Sequence, residues 1–407
     1  MTVRRDNQSK RRQAALLGAL TREGSLSRAE LAAHTGMPPS TVIDLAARLL
    51  HEGLIEEIDA PRRTRPGRPA ALLRLHAATG YVGFLGINRG GLQAAVIGGD
   101  GTLHAKLARP MDYTQPHGGM PLLVELLDQA THAAGLTRKH LGSIVLSVPA
   151  PVHNGRPTTL RADVPGLAAY KSGRVRWIGS NPGAELQTLL GTEVMVENDA
   201  NLAAVGEAVY GIARPFSIVT YVMIAGGLGG GAVLDKRLLR GATGLAGEFG
   251  HLHVDDAGPL CVCGAQGCLG SRGNLHETLR RMEPAFDQEL TIERLSDLCA
   301  SDHRPTLRLL YDLGVTIGGA LGAACVVLNP DAIVVDGTLK DAVKPVIDGI
   351  RHGIQRHAPS AAADTLTILP GALHDNAGIY GALAVCSDSP LDRREIGRGN
   401  ARRNDRP

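Results

Sequence analysis

The sequence predicts a two-lobed α/β protein with a winged helix-turn-helix domain at its N-terminus. Residues 1–76 are patterned as three short helices and two strands, and they are basic, with 13 Lys/Arg against 8 Asp/Glu. The remainder is slightly acidic and holds two similar strand-and-glycine segments, LGINRGGLQAAVIGGDG from residue 85 and VMIAGGLGGGAVLDKRLLRG from residue 222. Two such segments half a chain apart predict two α/β lobes.

Length and composition restrict the class of protein. The chain has 407 residues, of which 43% are hydrophobic, so two or three domains with their own cores are expected. No apolar run approaches the roughly 20 residues of a membrane helix, and MTVRRDNQSKRR lacks the apolar core of a signal peptide. We therefore expect a cytoplasmic protein without a membrane partner. Six cysteines in a chain of this length do not suggest a disulfide scaffold.

The first two helices are predicted from apolar spacing and capping residues. From Arg11 to Gly24, RRQAALLGALTREG places its apolar residues on one helix face and ends at a glycine. Ser27 precedes RAELAAHTG and Glu30 follows three residues later, which predicts a capping box. The second helix is expected to end at Gly36.

A third helix follows the turn GMPP and is expected to be capped and begun by Ser40 and Thr41. In a helix-turn-helix, this second helix of the pair lies in the major groove with its N-terminal side chains on base edges. The outward candidates are Ser40, Thr41 and Asp44, and Arg28 is expected near a phosphate.

Two predicted strands, residues 54–58 and 71–75, flank a loop that is rich in arginine. Its cationic residues are Arg62, Arg63, Arg65 and Arg68. Arginine gains most in the narrow, electronegative minor groove of A·T-rich DNA, so this wing is predicted to bind there. The alternative is a solvated linker loop. The three helices, the wing and the positive charge together predict double-stranded DNA as the partner.

The body begins at Tyr81, and further strands are predicted over residues 143–149, 193–199 and 331–337. The last of these follows a glycine-rich helix, GVTIGGALGAACVVLNP. We therefore divide the chain into a winged helix-turn-helix domain over 1–77, a body of two lobes over 78–386 and a charged tail over 387–407. The tail is poor in apolar residues and is expected to be disordered.

A cluster of metal-ligating residues lies in GEFGHLHVDDAGPLCVCGAQGC. His251, Cys261, Cys263 and Cys268 provide one imidazole and three thiolates, which satisfy a closed tetrahedral zinc site. Gly264 and Gly267 allow the chain to fold back tightly around the ion. Because protein ligands fill all four positions, the predicted zinc is structural; the alternative is a chance grouping of cysteines.

The chain resembles the ROK family, which unites repressors, open reading frames and sugar kinases. Matching segments run along nearly the whole chain: SRAELAAHTG and GRPA in the head, and ENDANLAAVGE at 197–207 in the body. The most specific signature is GGLGGGAVLDKRLLRGATGLAGEFGH at 226–251 together with CVCGAQGCLG.

The resemblance implies an actin-like, hexokinase-type fold with a sugar bound in the cleft between the lobes. By analogy, Asn198, Asp199, Glu248 and His251 line that pocket, with His251 also on zinc. Carboxylates and amides suit sugar hydroxyls because they accept or donate in fixed geometry. Asp199 matches the general base of family kinases; a helix N-cap before ANLAAVGEAVYG is its alternative role.

Several residues depart from the kinase pattern of the family. Family kinases carry Asp and Thr in the first glycine turn, where this chain has Asn88 and Leu92, and Thr where Gly226 stands. Asp336 adds a carboxylate where consecutive glycines usually end the strand near adenine. Phosphoryl transfer depends on neutralising and positioning phosphates, so the ATP site is predicted to be dismantled and the chain is expected not to be an enzyme. Gly270 replaces the Glu that usually follows GCL, which indicates a modified sugar or none.

The combined prediction is a transcriptional regulator that represses genes of carbohydrate uptake or use and responds to a sugar or sugar derivative. A homodimer or homotetramer is expected, because helix-turn-helix proteins commonly read palindromes. A sugar kinase that retains a DNA-binding head is the first alternative. The second is an effector-independent DNA-binding protein whose body only mediates dimerisation.

Overall fold

The structure is a computed structural model. It describes residues 12–13, 15–20, 23, 25–51, 55–58, 71–75, 80–88, 90–113, 119–158, 177–225, 227–261, 263–283, 286 and 290–387. The wing arginines, Arg89, Gly226 and the predicted tail from residue 388 lie outside these ranges.

The head consists of helices and a small antiparallel sheet, as the sequence predicts. Residues 12–13 and 15–20 are helical (α1). The elements that follow are β1 Ser25–Ser27, α2 Arg28–Thr35, α3 Pro39–His51, β2 Ile55–Ile58 and β3 Leu72–Leu75. The sheet order is β1-β3-β2, so the predicted wing strands pair and the unpredicted strand β1 joins them.

Capping determines where the head helices begin and end. Ser27 and Glu30 form the predicted reciprocal capping box, and Gly36 ends α2 in the left-handed conformation at φ 67°. The predicted start of α3 is wrong, because the helix already begins at Pro39. Proline suits the first helical position, where its missing N–H would have no helical partner.

The core of the head joins all three helices to the sheet. Its buried side chains include Leu16, Leu20, Leu31, Val42, Leu45, Leu49, Ile55 and Leu73. In α3, Val42, Leu45 and Leu49 thus face the core, while Leu50 is only partly buried.

The body contains two five-stranded sheets. The strands of the first are β4 Tyr81–Asn88, β5 Gly91–Ile97, β6 Leu103–Pro110, β7 Leu141–Val148 and β10 Val194–Asn198; β8 Val152–His153 and β9 Arg156–Pro157 form a separate hairpin. The strands of the second are β11 Ile218–Ile224, β12 Leu228–Leu234, β13 Arg237–Leu238, β14 Ala332–Gly337 and β15 Thr367–Pro370. The first sheet has the order β10-β7-β4-β5-β6 and the second has the order β13-β12-β11-β14-β15.

The two sheets share one topology. In each, an antiparallel hairpin occupies the centre, a third antiparallel strand follows it on one side, and two parallel strands follow on the other. Strands β4 and β11 thus occupy equivalent positions. The prediction of two related lobes from two similar glycine segments is confirmed.

Helices cover the two sheets of the body. Those with described bounds are α4 Met120–Ala133, α5 Pro182–Leu190, α6 Asp199–Val209, α7 Leu269–Arg272, α8 Leu275–Met282, α9 Ile292–Ala300, α10 Arg304–Leu328, α11 Lys344–His357, α12 Ser360–Thr365 and α13 Ala377–Ser387. The predicted tail begins one residue too early, since Ser387 still belongs to α13. Helices α6 and α13 cross closely: a Cβ at Gly206 would lie 2.1 Å from the carbonyl oxygen of Ala377.

Helix α10 is long and apolar enough to cross a membrane by length and composition. The expectation that no apolar run approaches that length is therefore wrong for this segment. One face of the helix, including Leu310, Ile317 and Leu321, is buried in the core of the second lobe. The core helix of a globular protein passes the same test, and α10 packs in this way against α11.

Candidate effector site, metal cluster and DNA-reading face

The junction of β10 and α6 carries the first pair of predicted sugar-binding residues. Asn198 is the N-cap of α6: its Oδ1 accepts a hydrogen bond from the backbone N–H of Asn201 at 2.9 Å, and its Nδ2 donates to the carbonyl oxygen of Ala150 at 3.1 Å. The N-cap role considered for Asp199 is thus wrong by one residue. Asp199 is the first residue of α6 and is partly exposed, and its Oδ1 accepts from the N–H of Ala200.

Glu248 approaches Asp199 from a different part of the chain. It occupies the N-cap position of the short 3₁₀ turn Phe249–His251 in the loop that follows β13. Burial, together with the negative charge of Asp199, raises the pKa of Glu248 from 4.5 to about 7. The charge of Asp199 therefore acts on Glu248, and the assignment of both residues to one sugar pocket stays a prediction.

Glycines allow the Glu248 loop to pack directly against β12. A Cβ at Gly230 would lie 2.5 Å from the carbonyl oxygen of Gly247, and a Cβ at Gly250 would lie 2.2 Å from that of Leu228. These distances exclude a side chain at either position without a backbone shift. The glycines of the second glycine segment within β12 thus serve close packing.

The buried ion pair between Glu197 and Arg240 was missed from the sequence. Glu197 directly precedes Asn198 in β10, and only 4% of its side chain is exposed. Its Oε1 accepts from the N–H of Asn198 and from Nδ2 of Asn201, while its Oε2 lies 2.9 Å from Nε and Nη2 of Arg240. A charged residue among the apolar residues of VMVEND was the available signal, but its partner is distant in sequence.

His251, Cys261, Cys263 and Cys268 form one compact group whose ligand atoms all lie within 4.8 Å of one another. Nδ1 of His251 lies 3.5 Å from Sγ of Cys261, and Sγ of Cys263 lies 3.6 Å from Sγ of Cys268. Ligands at about 2.1–2.3 Å from a tetrahedral zinc ion stand roughly 3.5–3.8 Å apart. The donor set and these distances fit zinc.

Burial shifts the pKa of three of these side chains. It raises the pKa of Cys268 to about 12 and also raises that of Cys261, while it lowers the pKa of His251. The imidazole is therefore neutral and suited to coordination. Thiolates at this site require a compensating positive charge, which a divalent cation supplies.

The backbone around the cluster folds back as the sequence predicts. Gly264 and Gly267 have φ of 86° and 70°, in the left-handed region. A Cβ at Gly267 would lie 1.7 Å from the carbonyl oxygen of Asp255, so only glycine fits this close approach. An isolated bridge between His253 and Cys268 ties the loop to the segment that follows His251.

The first glycine segment is a tight hairpin. Asn88 pairs with Gly91 across the turn, and Oδ1 of Asn88 accepts from the N–H of Gly90 at 2.9 Å. A Cβ at Gly91 would lie 2.1 Å from the carbonyl oxygen of Arg109 on β6. Leu92 is buried in the core and does not line the turn. Of the two residues that differ from the kinase pattern here, only Asn88 is exposed at the turn.

Asp336 and Gly270 lie in packed surroundings. The side chain of Asp336 is buried and accepts hydrogen bonds from the hydroxyl of Tyr221 at 3.2 Å and the N–H of Gly337 at 2.7 Å. The expectation that this carboxylate lies close to a nucleotide stays a prediction, and the structure adds that the group is hydrogen-bonded within the protein. A Cβ at Gly270 would lie 3.0 Å from the carbonyl oxygen of Gly250, so the backbone at Gly270 packs closely against the loop that carries Glu248.

The predicted DNA-reading residues lie on α3 and at the start of α2. Ser40 and Asp44 are exposed, and Thr41 is partly buried. Arg28, expected near a phosphate, donates to Oε1 of Glu57 at 2.7 Å. The predicted wing residues Arg62, Arg63, Arg65 and Arg68 lie outside the described residues.

A helix-turn-helix head joined to a body of two sheets with one topology and a Cys₃His cluster defines a class of proteins that combine a DNA-binding domain with a two-lobed α/β body. The chain belongs to the ROK family, whose sequence model matches residues 84–389. The IclR helix-turn-helix domain model matches residues 11–59.

Relatives of known name fall into two groups. The xylose repressor of Bacillus subtilis strain 168 is 24% identical over 380 residues, which are 93% of this chain and 96% of that protein. The glucokinase of Thermotoga maritima is 25% identical over 245 residues, 55% of this chain and 77% of the kinase. A crystal structure of a ROK family transcriptional regulator, a homologue of E. coli MLC protein, aligns with TM-score 0.74 at 22% identity and covers 95% of this chain and 99% of its own. This structural likeness confirms the fold.

Proposed function

We propose that this protein is a sugar-responsive DNA-binding regulator that represses genes of carbohydrate uptake or use. The observation that carries the proposal is the presence, in one chain, of a helix-turn-helix head and a two-lobed ROK body in which the charge of Asp199 acts on Glu248. The named xylose repressor matches over nearly the whole chain, whereas the glucokinase matches over about half of it.

On the DNA side, α3 enters the major groove and presents the exposed side chains of Ser40 and Asp44. Thr41 is partly buried and contributes at the edge of this face. Arg28 donates a hydrogen bond to Glu57 and also contacts a phosphate of the DNA backbone. The wing arginines bind the adjacent minor groove.

On the sugar side, Asp199 and Glu248 accept hydrogen bonds from ligand hydroxyls, and Asn198 and His251 complete the pocket. The side chain of Asn198 is held in position, because its amide caps α6 and donates to the carbonyl oxygen of Ala150. The name of the Bacillus relative makes a pentose the first ligand class to examine, followed by hexoses and amino sugars.

Sugar binding is converted into a change in DNA affinity through the arrangement of the lobes. The ligand favours the arrangement in which both sides of the pocket contact it, and operator affinity falls if DNA-competent heads require the other. The functional unit is a cytoplasmic homodimer or homotetramer, so that two heads reach the two half-sites of a palindrome.

The metal in this proposal is a structural zinc ion held by His251, Cys261, Cys263 and Cys268. When bound, it compensates the thiolate charges and cross-links the loop that follows Glu248. Since His251 follows Glu248 by three residues, this anchor fixes the position of the Glu248 carboxylate.

Retained kinase activity is a second candidate, favoured by the presence of Asp199 and Glu248. The purified protein, incubated with Mg-ATP and a panel of pentoses, hexoses and amino sugars, is expected to release no ADP above background. Turnover with any one sugar, abolished by Asp199→Asn, would establish the kinase instead.

An effector-independent DNA-binding protein is the remaining alternative, and Gly270 motivates it. Titration calorimetry across the same sugar panel distinguishes the two cases. One saturable ligand whose binding is lost in Asp199→Ala supports the sensor, and the absence of any heat across the panel would favour a body that only mediates dimerisation.

The decisive experiment is fluorescence anisotropy of full-length protein on DNA from its own promoter and from neighbouring sugar-transport genes. We expect tight, salt-sensitive binding that one sugar releases. An Asp199→Ala variant should bind the same DNA but no longer respond to that sugar. Failure to bind any of these DNAs above the level of random sequence would overturn the proposed function.

A further inference from the structure

Helix α3 presents a narrow face to solvent that the packing of the head does not use. Its members follow the spacing i, i+3, i+4 and i+7, and all four are exposed: Ser40, Ile43, Asp44 and Ala47. The opposite face of α3 is buried in the head core. The exposed face is therefore available to a ligand along the first two to three turns of the helix.

Ile43 is the unexpected member of this face. Its side chain is 51% exposed, although isoleucine is among the residues most often found inside proteins. The adjacent inward position, Val42, is fully buried, so Ile43 is not a displaced core residue. Ala47, one turn further along, extends the apolar surface.

The charges on the same face restrict what it recognises. Asp44 is its one charged residue, and the nearby Arg48 donates to Oε1 of Gln13. Bidentate recognition of guanine by arginine or lysine is therefore not offered by the four residues of the face. In the major groove, the apolar feature of a base pair is the C5-methyl group of thymine.

We propose that Ile43 contacts the C5-methyl group of a thymine in the operator and is a specificity-determining residue of the head. This inference rests on the proposed DNA-binding function and deepens it. Ile43 lies one turn after the start of α3 at Pro39, within the N-terminal part of the helix that reaches base edges. Asp44 beside it suits the amino group of a neighbouring cytosine.

The test changes the DNA rather than the protein first. Preferred sites are selected from a random double-stranded pool with the full-length protein, and each thymine of the selected site is then replaced singly by deoxyuridine, which removes only the methyl group. We expect about a fourfold loss of affinity at one thymine in each half-site, the value of one buried methyl-sized group.

The protein variants identify the contacting side chain. Ile43→Ala should bind the thymine and deoxyuridine sites equally, while Ile43→Val, which keeps a branched methyl pair, should retain part of the difference. Leu189→Ala is the matched control, since Leu189 is an exposed leucine on α5 of the body. It should discriminate thymine from deoxyuridine as the native protein does.

The possible failures are distinguishable. If the pool yields a preferred site but no deoxyuridine weakens binding, or if Ile43→Ala keeps the full discrimination, this inference is overturned and the proposed function stands. If the pool yields no preferred site, the proposed function fails, and the proposed contact between Ile43 and thymine fails with it.

Discussion

The guanidinium of Arg240 lies 2.9 Å from Oε2 of Glu197, with both Nε and Nη2 at that distance. Glu197 is almost fully buried at the end of β10, whereas 42% of the Arg240 side chain is exposed. The pair joins the strand that carries Asn198 to the chain segment that leads to Glu248. It therefore ties the end of β10 to the segment that follows β13.

Removing Arg240 should destabilise the protein, because it leaves the buried Glu197 carboxylate without a cation. Arg240→Ala is expected to lower the free energy of unfolding by about 2–3 kcal/mol, less than a fully buried pair since the arginine is half exposed. Urea unfolding followed by circular dichroism measures this change.

The double variant Glu197→Gln/Arg240→Ala is the informative control. It removes the buried charge together with its partner and keeps a side chain of the same size that still accepts from Asn198 and Asn201. We expect it to recover at least half of the lost stability. A double variant as unstable as Arg240→Ala would show that the arginine acts through packing alone.

The Cys₃His cluster predicts a metal-dependent stability. Cys261→Ser and Cys263→Ser should each lose a molar equivalent of zinc and more than about 2 kcal/mol of unfolding free energy, because metal binding contributes to folding. Metal analysis and thermal unfolding with and without chelator measure both quantities.

Cys299→Ser is the matched control for this experiment. Cys299 is a partly exposed thiol on α9, outside the four ligands. It should keep its zinc and its stability in the presence of metal. Equal zinc contents in all three variants would contradict the assignment of the cluster as the metal site.

Local signals predicted the head well and its exact boundaries less well. The Ser27–Glu30 capping box and the Gly36 stop act within one helical turn, so sequence spacing sufficed. The start of α3 was missed because serine and threonine are also good caps, and proline at the first helical position prevailed. Strand β1 depends on pairing with β3 far along the chain, and three residues carry no periodic signal.

In the body, the similarity of the two glycine segments predicted two lobes, and the structure gives them one topology. The ligand spacing in CVCGAQGC likewise predicted the metal cluster. Side-chain contacts with residues far along the chain were not predictable. Leu92 points into the core, Asp336 is bonded to Tyr221, and Glu197 pairs with Arg240.

Backbone geometry at Gly267 predicts a specific intolerance. Gly267→Ala should weaken zinc retention and lower the melting temperature, since its Cβ would collide with the carbonyl oxygen of Asp255. Gly135→Ala provides the comparison: it has a similar φ of 71° but nothing within 4 Å of the added Cβ. Both variants carry the left-handed strain of roughly 1 kcal/mol, so only the excess in Gly267→Ala reports the collision. Equal losses would exclude a role for close packing.

The pKa of Glu248 predicts how stability changes with pH. Burial and the charge of Asp199 raise this pKa from 4.5 to about 7, so the folded protein binds a proton that the unfolded chain releases between these values. The stability that this group contributes is fully present below its ordinary pKa and is lost as pH rises through about 7.

Glu248→Gln should match the native protein at about pH 4.5 and be more stable than it at about pH 8, by up to about 3 kcal/mol. Thermal unfolding of both proteins across this range measures the difference, and Glu193→Gln, at an exposed position, is the control for a glutamate-to-glutamine change as such. A difference between Glu248→Gln and native protein that stays constant with pH would show that Glu248 ionises in the folded state as it does in water.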